Sequence, residues 1–322
     1  MPANLTPQYL AAEEKFRQAR SLEEKLEALK EMLATVPKHK GTEKLQKEIK
    51  TKISKLRKEM AKKPSVKRTI WYHFEKKGAG QVAVFGFPNC GKSALVKLLT
   101  KANTEVAPYP YTTIIPSEGM MPYEDIQVQL IDTPPLNDDP EPWFFHILRS
   151  ADSLLYLLDL ASDDLLEDYE KGLSILKKGR LAIIEKEMPW EEGFTQKKTI
   201  IVGNKIDCPG AEERLKIIKE ITGEIISVSV EKGIGLDNLK RVIFKSLDII
   251  RVYTKPPGKP PDFTEPVILK TGSSVLDCAL HLHKDFAHRL KYARLWSDEK
   301  YQGQRVERLH ILKDKDIIEF HI

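Results

Sequence analysis

Apolar positions along the 322-residue chain change their period twice, and each change marks a different kind of element. Near the N-terminus Phe16, Ala19, Leu22, Leu26, Leu29 and Leu33 recur at spacings of three and four, which predicts one face of an amphipathic helix. Thr6-Pro7 supplies its start, a capping side chain before a proline at the first helical position. After the breaker Val36-Pro37-Lys38-His39-Lys40-Gly41 a second helix is predicted from near Thr42, with Leu45, Ile49, Ile53, Leu56 and Met60 on one side. Two such helices joined by a short connection predict an antiparallel hairpin over residues 1–68, an appendage without a core of its own.

Past Pro64 short apolar runs alternate with helical patterns. The strands are Gln81–Phe85, Ile126–Ile131, Leu154–Leu160, Thr199–Val202 and Ile225–Val228; helices are predicted over Gly91–Lys101, Trp143–Ala151, Leu165–Leu176, Arg214–Ile221 and Leu236–Ile250. This alternation predicts an α/β domain over residues 78–249, a parallel sheet covered by helices on both faces. Within it, Trp143-Phe144-Phe145 is expected to fix a helix to the sheet. The Pro-dense stretch from Lys255 to Pro266 stops the pattern. Beyond it Val267–Leu269 and Ile317–Phe320 read as strands around a helical stretch near Ser274–Leu290, a small α+β domain over residues 250–322.

Composition narrows the class. A 41% hydrophobic fraction with 31% charged residues supports a sizeable core and excludes a fibrous or wholly disordered chain. No apolar run reaches the ~18 residues of a membrane span, and the polar start predicts neither signal nor transit peptide. Three scattered cysteines predict no disulfide framework, so the expected location is cytoplasmic, away from membranes. The net charge of +5 is uneven: residues 38–68 carry 13 Lys/Arg against three Asp/Glu. Such a segment suits a polyanion such as RNA, with a solvated lysine-rich helix face as the alternative.

Gly86-Phe87-Pro88-Asn89-Cys90-Gly91-Lys92-Ser93, followed by Ala94, has the phosphate-loop form G-x4-G-K-[ST] between a predicted strand and helix. Consecutive amides there would wrap a phosphate. Lys92 would reach the β- and γ-phosphates, and the Ser93 hydroxyl would ligate Mg²⁺. Asn204-Lys205-Ile206-Asp207 ends a strand, where the Asp207 carboxylate can accept from N1–H and the exocyclic amine of guanine, a donor pair adenine lacks. The stem of Lys205 would lie along the ring. Asp132 ends another strand and is a second Mg²⁺ candidate. Thr113, with Thr112 behind it, is the candidate for closing over Mg²⁺ and γ-phosphate, so Lys92 and Thr113 are the expected catalytic pair. Ser229 and Val230 would offer backbone N–H groups to the guanine oxygen. Cys278, His281 and His283 lack a fourth ligand for zinc.

The set GFPNCGKS, YPYTTI, DTPP, NKID and SVSVEKGIGL resembles the five guanine-nucleotide motifs of the Obg/DRG branch of GTPases. The N-terminal HKGTEKLQKEIKTKISKLRKEM and the C-terminal RVYTKPPGKPPDFTEPVIL resemble the helical segment and the ubiquitin-like β-grasp TGS domain of DRG-type proteins. The resemblance implies a P-loop NTPase fold, GTP/GDP with Mg²⁺, K⁺ held by Asn89, and slow intrinsic hydrolysis. A ribosome or RNA partner is expected through the basic hairpin and the TGS domain, with a regulatory protein partner as another candidate. Two departures stand out. Pro135 replaces the Gly whose N–H contacts the γ-phosphate, and Leu136 stands where many GTPases place a water-orienting Gln. Only 40 positions separate Asp159 from Thr199, so the insertion typical of DRG proteins is absent. A hydrolysing switch and a guanine-nucleotide binder with little hydrolysis therefore both remain open. A nucleotide kinase or an ATP-driven transport protein shares the loop but not NKID.

Overall fold

The computed structural model describes residues 6–19, 22–37, 42–61, 74–100, 116–184, 193–297 and 301–321. The chain divides into two units, Met1–Trp71 and Tyr72–Ile322. Among the described residues the first holds three helices, α1 (Pro7–Gln18), α2 (Leu22–Thr35) and α3 (Glu43–Ala61), where the apolar period predicted two. Ala19 is extended, with φ −62° and ψ 125°, and closes α1. The chain is helical again from Leu22. The spacing of three and four continues through the break because both helices feed one cluster, and that hides the break from a periodicity reading. Tyr9 and Ala12, Leu29 and Met32, and Ile49 and Ile53 come from the three helices in turn. Three helices enclose a core that two would leave open on one side, so this unit is not the coreless hairpin the pattern suggested.

The second unit begins with a sheet in the order β2-β3-β1-β4-β6-β5, with β7 beside β6. Its strands are β1 (Gln81–Phe85), β2 (Ser117–Tyr123), β3 (Ile126–Asp132), β4 (Ser153–Asp159), β5 (Leu181–Ile184), β6 (Thr195–Asn204) and β7 (Ile226–Ser227). All pairings are parallel except that of β2 with β3. Strand β1 is buried throughout and alternates between two core layers. Ala83 and Phe85 face α5 (Pro142–Ser150), α6 (Leu165–Lys178) and α7 (Ala211–Thr222). Val82 and Val84 face α4 (Lys92–Thr100) and α8 (Leu236–Ser246). Phe144 and Phe145 are buried in the first layer, as their sequence suggested. Because β1, β3, β4, β6 and β7 are parallel, the loops after them gather at one edge of the sheet, where such folds bind ligands.

The predicted helix over Leu236–Ile250 stops at Ser246. Asp248 turns the chain with φ 50°, and the β-branched run Ile249-Ile250-Arg251-Val252 starts a strand instead. This strand, β8 (Ile249–Thr254), joins β9 (Val267–Lys270), β10 (Tyr292–Ser297), β11 (Tyr301–Val306) and β12 (Asp316–His321) in the order β11-β10-β12-β8-β9. The predicted helical stretch near Ser274–Leu290 is two helices, α9 (Val275–Leu282) and α10 (Lys284–Arg289), separated at the extended His283. Cys278 of α9 is fully buried in the core beneath them, and burial, aided by the Asp277 charge, raises its thiol to about 12, while His281 and His283 are exposed.

The two sheets meet at Arg251. Its side chain is 2% exposed and makes a two-pronged pair with Asp314, 3.0 and 2.7 Å. Its Nη1 also reaches Glu124 and Asp125, each at 2.6 Å, in the turn between β2 and β3. The guanidinium lies 4.8 Å from the ring centroid of Phe244, and the Tyr253 hydroxyl donates to Asp125 at 2.6 Å. Burial pushes Asp125 and Asp314 up, but the Tyr253 and Arg251 bonds to Asp125 and the Arg251 bonds to Asp314 outweigh it and hold both below the ordinary carboxylate range; Glu124 is lowered chiefly by its bond from Arg251. A carboxylate depressed in the folded state contributes stability above its unfolded value and loses it as pH falls through the folded one. Arg251→Ala should therefore cost ~3 kcal/mol at neutral pH, and the penalty should shrink below about pH 4. Urea melts of both chains across pH check the size and the sign.

Candidate functional site

The segment between β1 and α4 is shaped by what it passes. A Cβ on Gly86 would sit 2.3 Å from the Leu157 carbonyl oxygen. One on Gly91, at φ 97°, would sit 2.4 Å from Asn204 Nδ2. Glycine is therefore required at both ends of the loop by close approach. Between them Pro88 and Asn89 are exposed, with Asn89 at φ 62°, and Ser93 and Ala94 are exposed at the start of α4. The half-buried Phe87 ring lies 5.8 Å from Lys171 Nζ, and Lys171 pairs with Asp138 at 2.6 Å, which ties the loop to α6 and to the segment after β3.

Lys92 is 6% exposed, and its ammonium donates to the Gly86 and Phe87 carbonyls at 3.0 and 2.9 Å, inside the loop's own ring. These neutral partners are exchangeable for the charged oxygens of an anion, which make stronger bonds. Cys90 is 2% exposed; burial raises its thiol, against the opposing Lys92 charge, so it stays protonated. Its position near a helix N-terminus does not make it reactive.

Asp132 ends β3 beside Val84 of β1. Its Oδ1 is buried with no hydrogen-bond partner. Burial raises its pKa, while the Ser93 side chain and the Lys92 charge pull it back down. An unpartnered carboxylate oxygen next to a hydroxyl is the donor set of a hard divalent cation, so these residues fit Mg²⁺. The following Thr133 hydroxyl donates to the Val84 carbonyl at 2.9 Å. Pro135 has no N–H, and the Leu136 N–H donates to the Gly86 carbonyl at 2.9 Å. The Leu136 side chain is 2% exposed in the core. Neither residue presents a polar group to a ligand. Thr112 and Thr113 lie outside the described residues.

Across the sheet edge, Asn204 ends β6 and is 3% exposed. Its Nδ2 donates to the Cys90 carbonyl at 2.9 Å, and its Oδ1 accepts from the Val230 N–H at 3.1 Å. Lys205, at φ 66°, pairs with Asp159 at the end of β4. The Ser229 hydroxyl bonds Asp207 and is the largest cause holding that carboxyl below its ordinary value; Lys232, 3.6 Å away, assists. The Ser229 N–H donates to the Ile234 carbonyl and the Val230 N–H to Asn204, so the two amides expected to be free donors are already engaged. Asp159 and Lys171 escaped the sequence reading. Asp159 carried a signal, a charge closing an apolar strand as Asp132 does, whereas Lys171 is one of several lysines on a helix and carried none.

Residues 81–205 match the family model described as 50S ribosome-binding GTPase, and residues 250–322 match the TGS domain. An uncharacterized GTP-binding protein of Methanocaldococcus jannaschii is 31% identical, with 92% of each chain covered. The chain belongs to the DRG-type family of GTP-binding proteins. The ribosome-interacting GTPase 1 of Saccharomyces cerevisiae is 27% identical over 92% of this chain and 97% of its own. The human developmentally-regulated GTP-binding protein 2 is 26% identical over 92% and 98%. The structure of the Schizosaccharomyces pombe YchF GTPase, at 15% identity and TM-score 0.52, covers 78% of this chain and shares its fold. As a DRG-type chain it has a parallel-sheet P-loop domain, N-terminal helices and a C-terminal TGS domain. Among the described residues no helix is long and apolar enough to cross a membrane.

Asp132 is an acid whose folded value is raised by burial, so its contribution to stability is present below the unfolded value and lost as pH rises through the folded one. Asp132→Asn should stabilise the nucleotide-free, chelator-treated protein at pH 7 by on the order of 1 kcal/mol. The gain should vanish at low pH. Thermal melts at two pH values check both halves.

Proposed function

We propose that this DRG-type protein is a Mg²⁺-dependent GTPase switch that hydrolyses GTP slowly and acts on the ribosome or its RNA. The observation that carries this is the Asn204 side chain, which joins the loop at Cys90 to the segment at Val230 and so sets the guanine end and the phosphate end of one site on a common rim. Lys92 exchanges its two carbonyl partners for β- and γ-phosphate oxygens and holds them in place. Asp207, whose carboxyl the Ser229 hydroxyl holds below its ordinary value, selects guanine over adenine. Ser93 and Asp132 would hold Mg²⁺, with Thr113 as the switch residue and Asn89 as the K⁺ ligand. Held there, Mg²⁺ would supply charge neutralisation for the phosphates during hydrolysis.

The slow rate follows from residues 135 and 136. With no N–H on Pro135, the Leu136 N–H given to Gly86 and its side chain buried, one γ-phosphate-sensing hydrogen bond is absent or moved to another residue, and position 136 has no side chain to orient water. The same observation favours the second reading, a guanine-nucleotide-dependent binder with little hydrolysis. Single-turnover GTP cleavage in K⁺ and in Na⁺, with and without ribosomes, separates them; no phosphate release under any condition selects the binder. A basic segment at residues 38–68 and the likeness to the ribosome-interacting GTPase 1 of yeast support the ribosome as partner.

Lys92→Ala should weaken GTP affinity about a hundredfold or more, since two charge-assisted bonds are lost. Calorimetry with GTP, GDP and ATP measures it, and undiminished affinity refutes the site. Asp207→Asn should shift base preference from guanine toward xanthine nucleotides, read by competition binding.

A further inference from the structure

The C-terminal sheet turns one face inward. Ile250, Val252, Ala293, Leu295, Val306 and Ile318 point into its core, so alternate residues point to the other side. On β8 those are Arg251 and Tyr253, which are closed over by Asp125 and Phe244. On β10 and β11 the same face is open at Arg294 and Arg305. Arg294 and Arg305 stand directly opposite each other in the β10–β11 register, and both are exposed. Among the described residues neither forms an ion pair. Like charges facing across an antiparallel pair destabilise it, so this juxtaposition calls for an anion from outside.

The neighbour of Arg294 on its other side, Glu319, does not relieve it. Glu319 is 5% exposed and already bonds Lys255 and His321. Flat rings lie between the cations. Tyr292 stacks on His321 at 4.4 Å between centroids and 12° between planes, with the Arg305 guanidinium 4.3 Å from the Tyr292 ring. Trp296 has Lys255 Nζ 4.8 Å from its ring. The open face thus offers a stacked column whose outer layer is a guanidinium plane, with surplus positive charge around it. The two facing arginines carry positive charge that no carboxylate among the described residues offsets, and single-stranded RNA supplies what they lack: phosphates for the cations and flat bases for the rings.

We propose that this open face, Arg294 and Arg305 beside the Tyr292–His321 stack, binds single-stranded RNA, with phosphates on the two arginines and a base against the column. The proposal rests on the RNA reading above and assigns it to one surface. Binding of a fluorescein-labelled oligouridylate to the full chain, followed by anisotropy over a salt series, tests it. Arg294→Gln with Arg305→Gln should weaken binding about tenfold or more at low salt and reduce the salt slope by about 1.4. Tyr292→Leu should weaken it with the slope unchanged. Neutralising two exposed lysines of α7, Lys216→Gln with Lys219→Gln, should leave it intact. GTP affinity and melting temperature report that each variant is folded. Equal losses in the α7 control, or an unchanged arginine variant, overturn the assignment while the broader RNA reading survives. A wild-type chain that binds ribosomal RNA but not oligouridylate does the same. Binding of neither RNA removes both.

Discussion

One side-chain amide, that of Asn204, is the joint on which the site depends. Its donor end is spent on the Cys90 carbonyl and its acceptor end on the Val230 N–H, so both are saturated in a buried position. A buried amide satisfied at both ends has one orientation, because rotating it would leave a donor facing a donor. The close approach works only because Gly91 has no Cβ where the amide nitrogen passes. Two loops more than a hundred positions apart in the chain are thereby fixed to each other through a strand end, and a ligand meets them as one surface.

Two buried charges in the molecule have opposite characters. Arg251 is satisfied by three carboxylates and an aromatic ring, and its role is architectural: it holds the C-terminal sheet to the turn between β2 and β3. Asp132 keeps one oxygen without a partner, at a cost to the unliganded fold. Polar groups left unsatisfied in a native structure concentrate where a ligand completes them. The two charges lie at opposite ends of one ladder. Ser117 pairs with Asp132 at the site end, and the tip at Glu124 and Asp125 is held by Arg251. The hairpin that presents the candidate metal ligand is therefore anchored by the C-terminal domain.

The segment after β3 shows how a departure from a motif is absorbed. Proline at 135 removes a donor, and the next N–H closes the gap inward, onto the Gly86 carbonyl. Leu136 then has its side chain in the core, where a polar residue would be costly. The loss of the Gly and the loss of the Gln position are thus one change. A chain that turns inward here packs an apolar side chain and cannot also present a water-orienting group.

The local and periodic features were legible from the residues alone. These were the strand-loop-helix order around Gly86–Ser93, the alternation that makes a parallel sheet, the placing of Asp132 and Asn204 at strand ends, and the basic stretch before Pro64. Each rests on spacing along one element, which sequence records directly. Where the chain breaks without changing its period, as at Ala19 and His283, the pattern read through. Strands β10 and β11, YARLWS and YQGQRV, are interspersed with Arg, Gln and Gly and offered no apolar run to read. Everything that depends on two distant segments meeting was decided by tertiary structure: Asn204 against Cys90, Arg251 against Asp125, Leu136 folded under Gly86, and Arg294 facing Arg305. Such contacts leave no trace in local spacing, because burial, register and the direction of a side chain are set by what arrives from elsewhere in the fold.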